Sequence, residues 1–165
     1  FLVALDTGSN LFWVPCDCKS CAPNFDFSIY SPNTSSTSKN VPCTHDLCQN
    51  ECSGGNICPY KVDYVSNNTS SSGVLVEDVM YLTTEDEVDD ARIIFGCGQV
   101  QSGIFLYGGA PDGLFGLGMG NISVPSILSA AGLTTDSFSM CFGSDGVGRL
   151  ILGDKGSSDQ DETPF

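Results

Sequence analysis

Asp6-Thr7-Gly8-Ser9 sets one carboxylate on a tight turn between the apolar runs Phe1-Leu-Val-Ala-Leu5 and Leu11-Phe12-Trp13-Val14. Asp and Gly are ordinary turn residues, and an Asp-Thr-Gly triplet alone is a weak signal. The flanks change its weight. Nearly continuous apolar runs bounded by turn chemistry read as strands buried on both faces. A charge-bearing turn between two such strands costs free energy unless its polar groups are paired. A carboxylate held there can act as an acid or a base without reorganising. Hydrolysis of an amide without metal or covalent intermediate needs a base to activate water and an acid to protonate the carbonyl. Two carboxylates sharing one proton supply both, because like charges held close cannot both ionise. None of Asp112-Gly113, Asp145-Gly146 and Asp154 repeats the Asp-Thr-Gly pattern of the Asp6 turn. The partner carboxylate is therefore expected outside this chain.

Positioning that turn requires strands at 1–5 and 11–15. A cystine-rich loop is expected at 16–58, in which Ser31 to Asn40 is Ser/Thr/Asn-rich and exposed. A hairpin follows at 59–82, its second half carrying the polar interruption Glu77-Asp78. Glu85-Asp86-Glu87-Val88-Asp89-Asp90 reads as a solvated acidic turn. Ile93-Ile94-Phe95 and Gly113 to Leu117 are further strands. Ser123 to Ala131 reads as a helix, with Ser123 as N-cap, Pro125 in its first turn and Gly132 as its stop. Phe138–Phe142 and Arg149–Leu152 form a closing pair. Short apolar runs between turn clusters, with 19 glycines in 165 residues, predict an all-β single domain.

Formal charge is −14, from 6 basic and 20 acidic residues. With no basic patch to displace counterions from phosphates, nucleic acid is excluded as an expected partner. The acidic balance suits work at low pH, where protonation of carboxylates relieves self-repulsion. Nine cysteines include seven between Cys16 and Cys58, which with His45 allow either a zinc cluster or a disulfide framework. Sequons at Asn33, Asn67, Asn68 and Asn121, together with the cysteine density, favour an oxidising secretory route and disulfides. No metal or cofactor is expected, and His45 becomes a loop residue. No apolar stretch reaches the ~20 residues that a membrane helix needs.

Several separated motifs, in order, give a more specific reading. Phe1 to Pro15 resembles the first catalytic loop of pepsin-like aspartic proteases. Cys58-Pro59-Tyr60-Lys61-Val62-Asp63-Tyr64, with the polar turn to Gly73-Val74-Leu75, resembles their flap hairpin. Asp112-Gly113-Leu114-Phe115-Gly116-Leu117 resembles the strand beneath the catalytic loop. Phe95-Gly96-Cys97-Gly98, Phe138-Ser139-Met140-Cys141-Phe142 and the cysteine-dense insert resemble the plant, nepenthesin-like branch. The resemblance implies one lobe of a bilobal fold over residues 1–165, with closed, strongly bent β-sheets. It also implies a chain cut at both ends, the first lobe ending near Thr163-Pro164-Phe165 and the C-terminal lobe absent.

The same resemblance implies roles. Asp6 is one catalytic aspartate, the amide of Gly8 and the hydroxyl of Ser9 bond its carboxylate, and Thr7 bonds across to the other lobe. Tyr60 and Tyr64 share a strand face, and Tyr64 is taken as the flap residue. Trp13, which as a lone Trp also reads as core, donates its indole N–H to Tyr64. Pairings Cys43–Cys58 and Cys48–Cys52 are implied, with one of Cys16, Cys18 and Cys21 bonded to Cys97 and Cys141 reaching the second lobe. The flap tip departs from the Gly-rich pattern, being the longer Val65 to Ser72. The implied function is an aspartic endopeptidase acting on peptides as a full-length monomer in the apoplast or vacuole, the isolated lobe being inactive. The alternative is a catalytically inactive pepsin-fold binding or inhibitor protein.

Overall fold

A short strand, β1 (Ala4–Asp6), enters the Asp6 turn, and β2 (Trp13–Ser20) leaves it. The computed structural model describes residues 1–23, 28–66, 68–83, 88–110 and 112–153. Two long antiparallel strands, β5 (Ser70–Thr83) and β6 (Val88–Gln101), form the backbone of the sheet. Both β3 (Lys39–Asn40) and β4 (Pro59–Asp63) pair with β5. The chain continues through β7 (Leu114–Gly116), the helix α1 (Val124–Ala130) and the hairpin β8 (Phe138–Phe142) and β9 (Gly148–Leu152). The main sheet runs β1-β7-β2-β6-β5-β3, with β4 also on β5.

The fold is β-rich with one short α-helix among the described residues, as expected, but the sheets are not closed. The main sheet ends at β1 and β3, of three and two residues, too short to meet and complete a barrel. Along β5 and β6 successive residues face opposite sides. Val76, Ile93, Phe95 and Cys97 join one apolar cluster, and Leu75 and Ile94 join another on the other face. Burying each such side chain contributes roughly 1.5–3 kcal/mol. Covering on both faces explains the short apolar runs at 74–76 and 93–95 within these strands.

That expectation holds for β2, where Trp13 to Cys16 are buried, and fails for the opening segment. Phe1, Leu2 and Leu5 are exposed, and β1 starts only at Ala4. β1 is the end strand, paired only with β7, and its Leu5 is left exposed. The acidic run also differs: Val88–Asp90 already belong to β6. Glu85–Glu87, Asn67 and the expected lobe exit Thr163–Phe165 lie outside the described residues. The helix forms with the expected signals. Ser123 Oγ accepts from the Ser126 amide, Pro125 occupies the first turn, and Gly132 follows with φ +73°.

The insert is not merely solvated. Asp78, buried on β5, accepts hydrogen bonds from Tyr30 (2.6 Å), Ser35 (2.7 Å) and Thr37 hydroxyls and from the Val79 amide (2.7 Å). Burial raises its pKa, but these donors, Thr37 foremost, outweigh that and hold it at about 2. Burial pushes Tyr30 up to about 12, helped by the neighbouring carboxylate, so it stays a donor. The Glu77-Asp78 interruption thus anchors the Ser/Thr-rich segment to the sheet.

Eight cysteines pair as Cys16–Cys97, Cys18–Cys21, Cys43–Cys52 and Cys48–Cys58, and Cys141 is free and exposed. The pairings Cys43–Cys58 and Cys48–Cys52 are corrected. Consecutive turns, with His45 N bonding Pro42 O and Cys48 N bonding His45 O, fold Cys48 back towards β4. Cys58 is fully buried, and Cys48 is the cysteine of the loop that packs on the same apolar cluster. Among Cys16, Cys18 and Cys21, the buried Cys16 takes Cys97, because β2 and β6 run in parallel register with Val14 beside Cys97. Asp17 at φ +41° turns the chain so that Cys16 faces inward while Cys18 meets Cys21.

Candidate active site

The Asp6 turn is built on β7. Both stems contact that strand, β1 in parallel register (Asp6 beside Gly116) and β2 through Trp13 beside Leu114. From beneath, Leu117 N donates to Asp6 O (2.8 Å), Gly118 N to Ser9 O (2.9 Å) and Gly120 N to Asn10 Oδ1 (2.9 Å). The close approach requires glycine. A Cβ on Gly116 would lie 2.4 Å from the carbonyl carbon of Asn10, and one on Gly113, at φ +105°, 2.0 Å from Trp13 O. Asp112 accepts the amides of Leu2 (3.1 Å) and Ser28 (2.9 Å), clamping the entry to β1 rather than only making a turn.

On this platform the carboxylate of Asp6 is half-buried. Gly8 N donates to its Oδ1 at 2.9 Å and Ser9 Oγ to its Oδ2 at 2.5 Å. One donor on each oxygen fixes the orientation of the carboxylate. Thr7, between them, is exposed.

The hairpin formed by β4 and β5 rises beside the turn. Tyr60 and Tyr64 have separated fates despite sharing a strand face. Tyr60 is buried against Gly96, its hydroxyl 2.8 Å from Ser71 Oγ. Tyr64 is half-buried at the mouth, and Trp13 Nε1 donates to its hydroxyl at 2.8 Å. Burial pushes the Tyr64 phenol up, the Trp13 bond pulls it partly back, and the Asp6 carboxylate adds to the rise. Trp13 is at once fully buried core and a hydrogen-bond donor. At the hairpin tip Asn68 is exposed at φ +53°, with its carbonyl accepting from Ser102 Oγ at 2.7 Å. Asn33 and Asn121 are exposed as well.

Three contributors are absent from the sequence-based expectations. Phe105, on the 3-10 turn Gly103–Tyr107, sets its ring edge-on to both Trp13 (5.1 Å) and Tyr64 (5.2 Å). Asn10 pins the loop after β7. Leu47, Gln49 and Asn50 of the insert join Gly8, Ser9 and Tyr64 around a pocket of about 360 Å³. The Asn10 contact had one signal, Gly118 and Gly120 two apart just after β7, where a Cβ would strike Asn10. The other contacts join segments distant in sequence and leave no local pattern. The site as a whole offers one oriented carboxylate beside an open pocket under an aromatic strap.

The family model described as xylanase inhibitor N-terminal matches residues 1–154. Aspartyl protease family protein 1 of Arabidopsis thaliana is 57% identical over 179 aligned positions, covering 100% of this chain and 35% of its own length. Aspartic proteinase nepenthesin-2 of Nepenthes gracilis is 31% identical over 171 positions, covering 99% of this chain and 36% of its own length. The chain thus spans about a third of the length of the curated relatives it matches. The crystal structure of basic 7S globulin from soybean superposes with a TM-score of 0.63 at 21% identity, over 91% of this chain and 42% of the globulin. At that identity the likeness speaks for the fold alone.

Proposed function

Since the chain belongs to the xylanase inhibitor N-terminal family, related along its length to plant pepsin-like aspartic proteases, we propose that it is the first lobe of an aspartic endopeptidase. The observation that carries the proposal is the carboxylate of Asp6, with one donor on each oxygen, beside a pocket that an extended peptide can enter. A second aspartate, supplied by a second lobe that includes the counterpart of this turn, completes the pair. In the reaction one carboxylate takes a proton from water as its oxygen attacks the peptide carbonyl carbon. The other carboxyl gives its proton to the carbonyl oxygen. Transfer of a proton to the amide nitrogen then lets the carbon–nitrogen bond break, and the pair is restored. Thr7, exposed at the loop, is proposed to bond across to the second lobe. Gly8 and Ser9 hold Asp6, while Tyr64, braced by Trp13, covers the substrate.

Four disulfides support passage through an oxidising compartment, with the apoplast or vacuole as destination. Glycans are proposed at Asn33, Asn67, Asn68 and Asn121, and enzymatic removal of N-glycans should lower the mass of the protein from plant tissue. The full-length protein is proposed to be monomeric and to need no cofactor. Its test compares full-length wild-type protein with Asp6→Asn on protein substrates at acid pH. The wild type is expected to cleave in a pepstatin-sensitive way and Asp6→Asn is not. The 165-residue chain alone, with only one of the two proposed catalytic aspartates, is expected to be inactive. A fully active Asp6→Asn would refute the reading.

A second reading is favoured by the name of the matching family model: a binding protein that blocks a glycan-degrading enzyme such as a xylanase. Under it, full-length protein cleaves nothing and instead reduces xylanase turnover. The carboxylate with its two donors argues for the first reading, since a binding surface has no need to orient both oxygens.

A further inference from the structure

The pocket beside Asp6 has three walls, and the third belongs to the cysteine-rich insert. The catalytic turn gives Gly8 and Ser9, the hairpin gives Tyr60 to Val65, and Leu47, Gln49 and Asn50 close a further side. That last wall is braced onto the hairpin strand itself. Cys48 is bonded to Cys58, immediately before β4, and Asn50 Nδ2 donates to Pro59 O at 3.1 Å. Leu47 N donates to His45 Nδ1 at 3.1 Å and Cys48 N to His45 O at 2.8 Å, while Cys43–Cys52 closes the loop from outside. A segment tied at so many points offers a fixed surface, and fixed surfaces discriminate between ligands because they cannot adapt to the wrong one.

Its chemistry is divided. Leu47 is partly buried against the cluster that includes Leu11, Tyr60 and Leu75, so it extends an apolar floor into the pocket. Gln49 is exposed at the same wall and carries a neutral amide. About 360 Å³ accommodates a side chain of leucine or phenylalanine size with room for main chain. We propose that Leu47 and Gln49, held by the disulfide-braced insert, determine substrate specificity, Leu47 selecting an apolar side chain in the pocket and Gln49 an uncharged or polar residue next to it. The inference rests on the endopeptidase reading above.

The test uses full-length protein and a peptide library varied one position at a time, with kcat/KM measured for each residue. Leu47→Ala opens the wall and is expected to shift one position towards tryptophan over leucine, by roughly tenfold in the ratio. Gln49→Lys puts a permanent positive charge at the mouth and is expected to penalise Lys and Arg at one neighbouring position, by about fivefold relative to Gln. A merely structural effect lowers all peptides together and leaves these ratios unmoved. If Leu47→Ala does not fold, Gln49→Lys, at an exposed position, decides alone. Wild-type ratios in variants that cleave overturn the inference while the endopeptidase reading stands. A wild type that cleaves no peptide removes that reading and the inference with it.

Discussion

Trp13 and Tyr64, 51 residues apart, share a 2.8 Å hydrogen bond in which the indole N–H donates to the phenol oxygen. The bond ties the strand leaving the Asp6 turn to the end of the hairpin that overhangs it. Tyr64→Phe removes the acceptor and leaves a fully buried N–H unpaired, which costs about 1–3 kcal/mol. Thermal unfolding of the 165-residue chain should show the loss. Full-length Tyr64→Phe should also show a raised KM, because the strap is no longer held over the pocket.

Ser9→Ala removes the donor to Asp6 Oδ2 and keeps the Gly8 amide on Oδ1. A hydrogen bond to a charged group contributes about 1.5–3 kcal/mol, so kcat/KM of the full-length protein should fall by roughly ten- to a hundredfold. Circular dichroism should be unchanged.

Asp78 gives a pH dependence of stability. Its folded pKa of about 2 lies below the ordinary 3.8, so between the two values the unfolded chain binds more protons than the folded one. The resulting stabilisation, about 2 kcal/mol, is complete above pH 3.8 and is lost as pH falls through 2. Melting of wild type and Asp78→Asn from pH 2 to 7 should show a gap that is constant at the upper end. It should narrow only below pH 4.

Ala110 sits at φ +56°, where a Cβ costs about 1–2 kcal/mol. Ala110→Gly relieves that strain and loses one methyl contact with the core. A net gain of about 0.5 kcal/mol is expected, read as a melting temperature higher by about one to two degrees.

Cys16–Cys97 closes a span of 81 residues, whereas Cys18–Cys21 closes only 3. Chain entropy makes the long closure worth about 4 kcal/mol and the short one about 2. The double variant Cys16→Ala/Cys97→Ala should therefore unfold at far lower denaturant than Cys18→Ser/Cys21→Ser. Equal losses would contradict the entropic account.

Residue order carried much of this molecule. The Asp6 turn, the 59–82 hairpin, the strand at 113–117 and the helix after Ser123 each have signals within a few residues: turn glycines, apolar runs, an N-cap followed by proline. Those are local rules, and the backbone obeyed them. Burial was read less well. Phe1, Leu2 and Leu5 have the composition of an inner strand, yet β1 lies at the sheet end, and no run of residues states which strand has one neighbour.

Asp6 and its two donors were within reach of the sequence, because all three lie within four consecutive residues and one tight turn allows few arrangements of them. Four loop cysteines allow three pairings, and choosing Cys48 for Cys58 needed the shared apolar cluster on which both pack. The same holds for Phe105 against Trp13 and Tyr64, for three hydroxyls converging on Asp78 and for Leu47 at the pocket wall. Each joins segments tens of residues apart. Local chemistry sets what a turn can present, whereas the partners of a buried group are decided only when the packed sheet brings distant strands into one register.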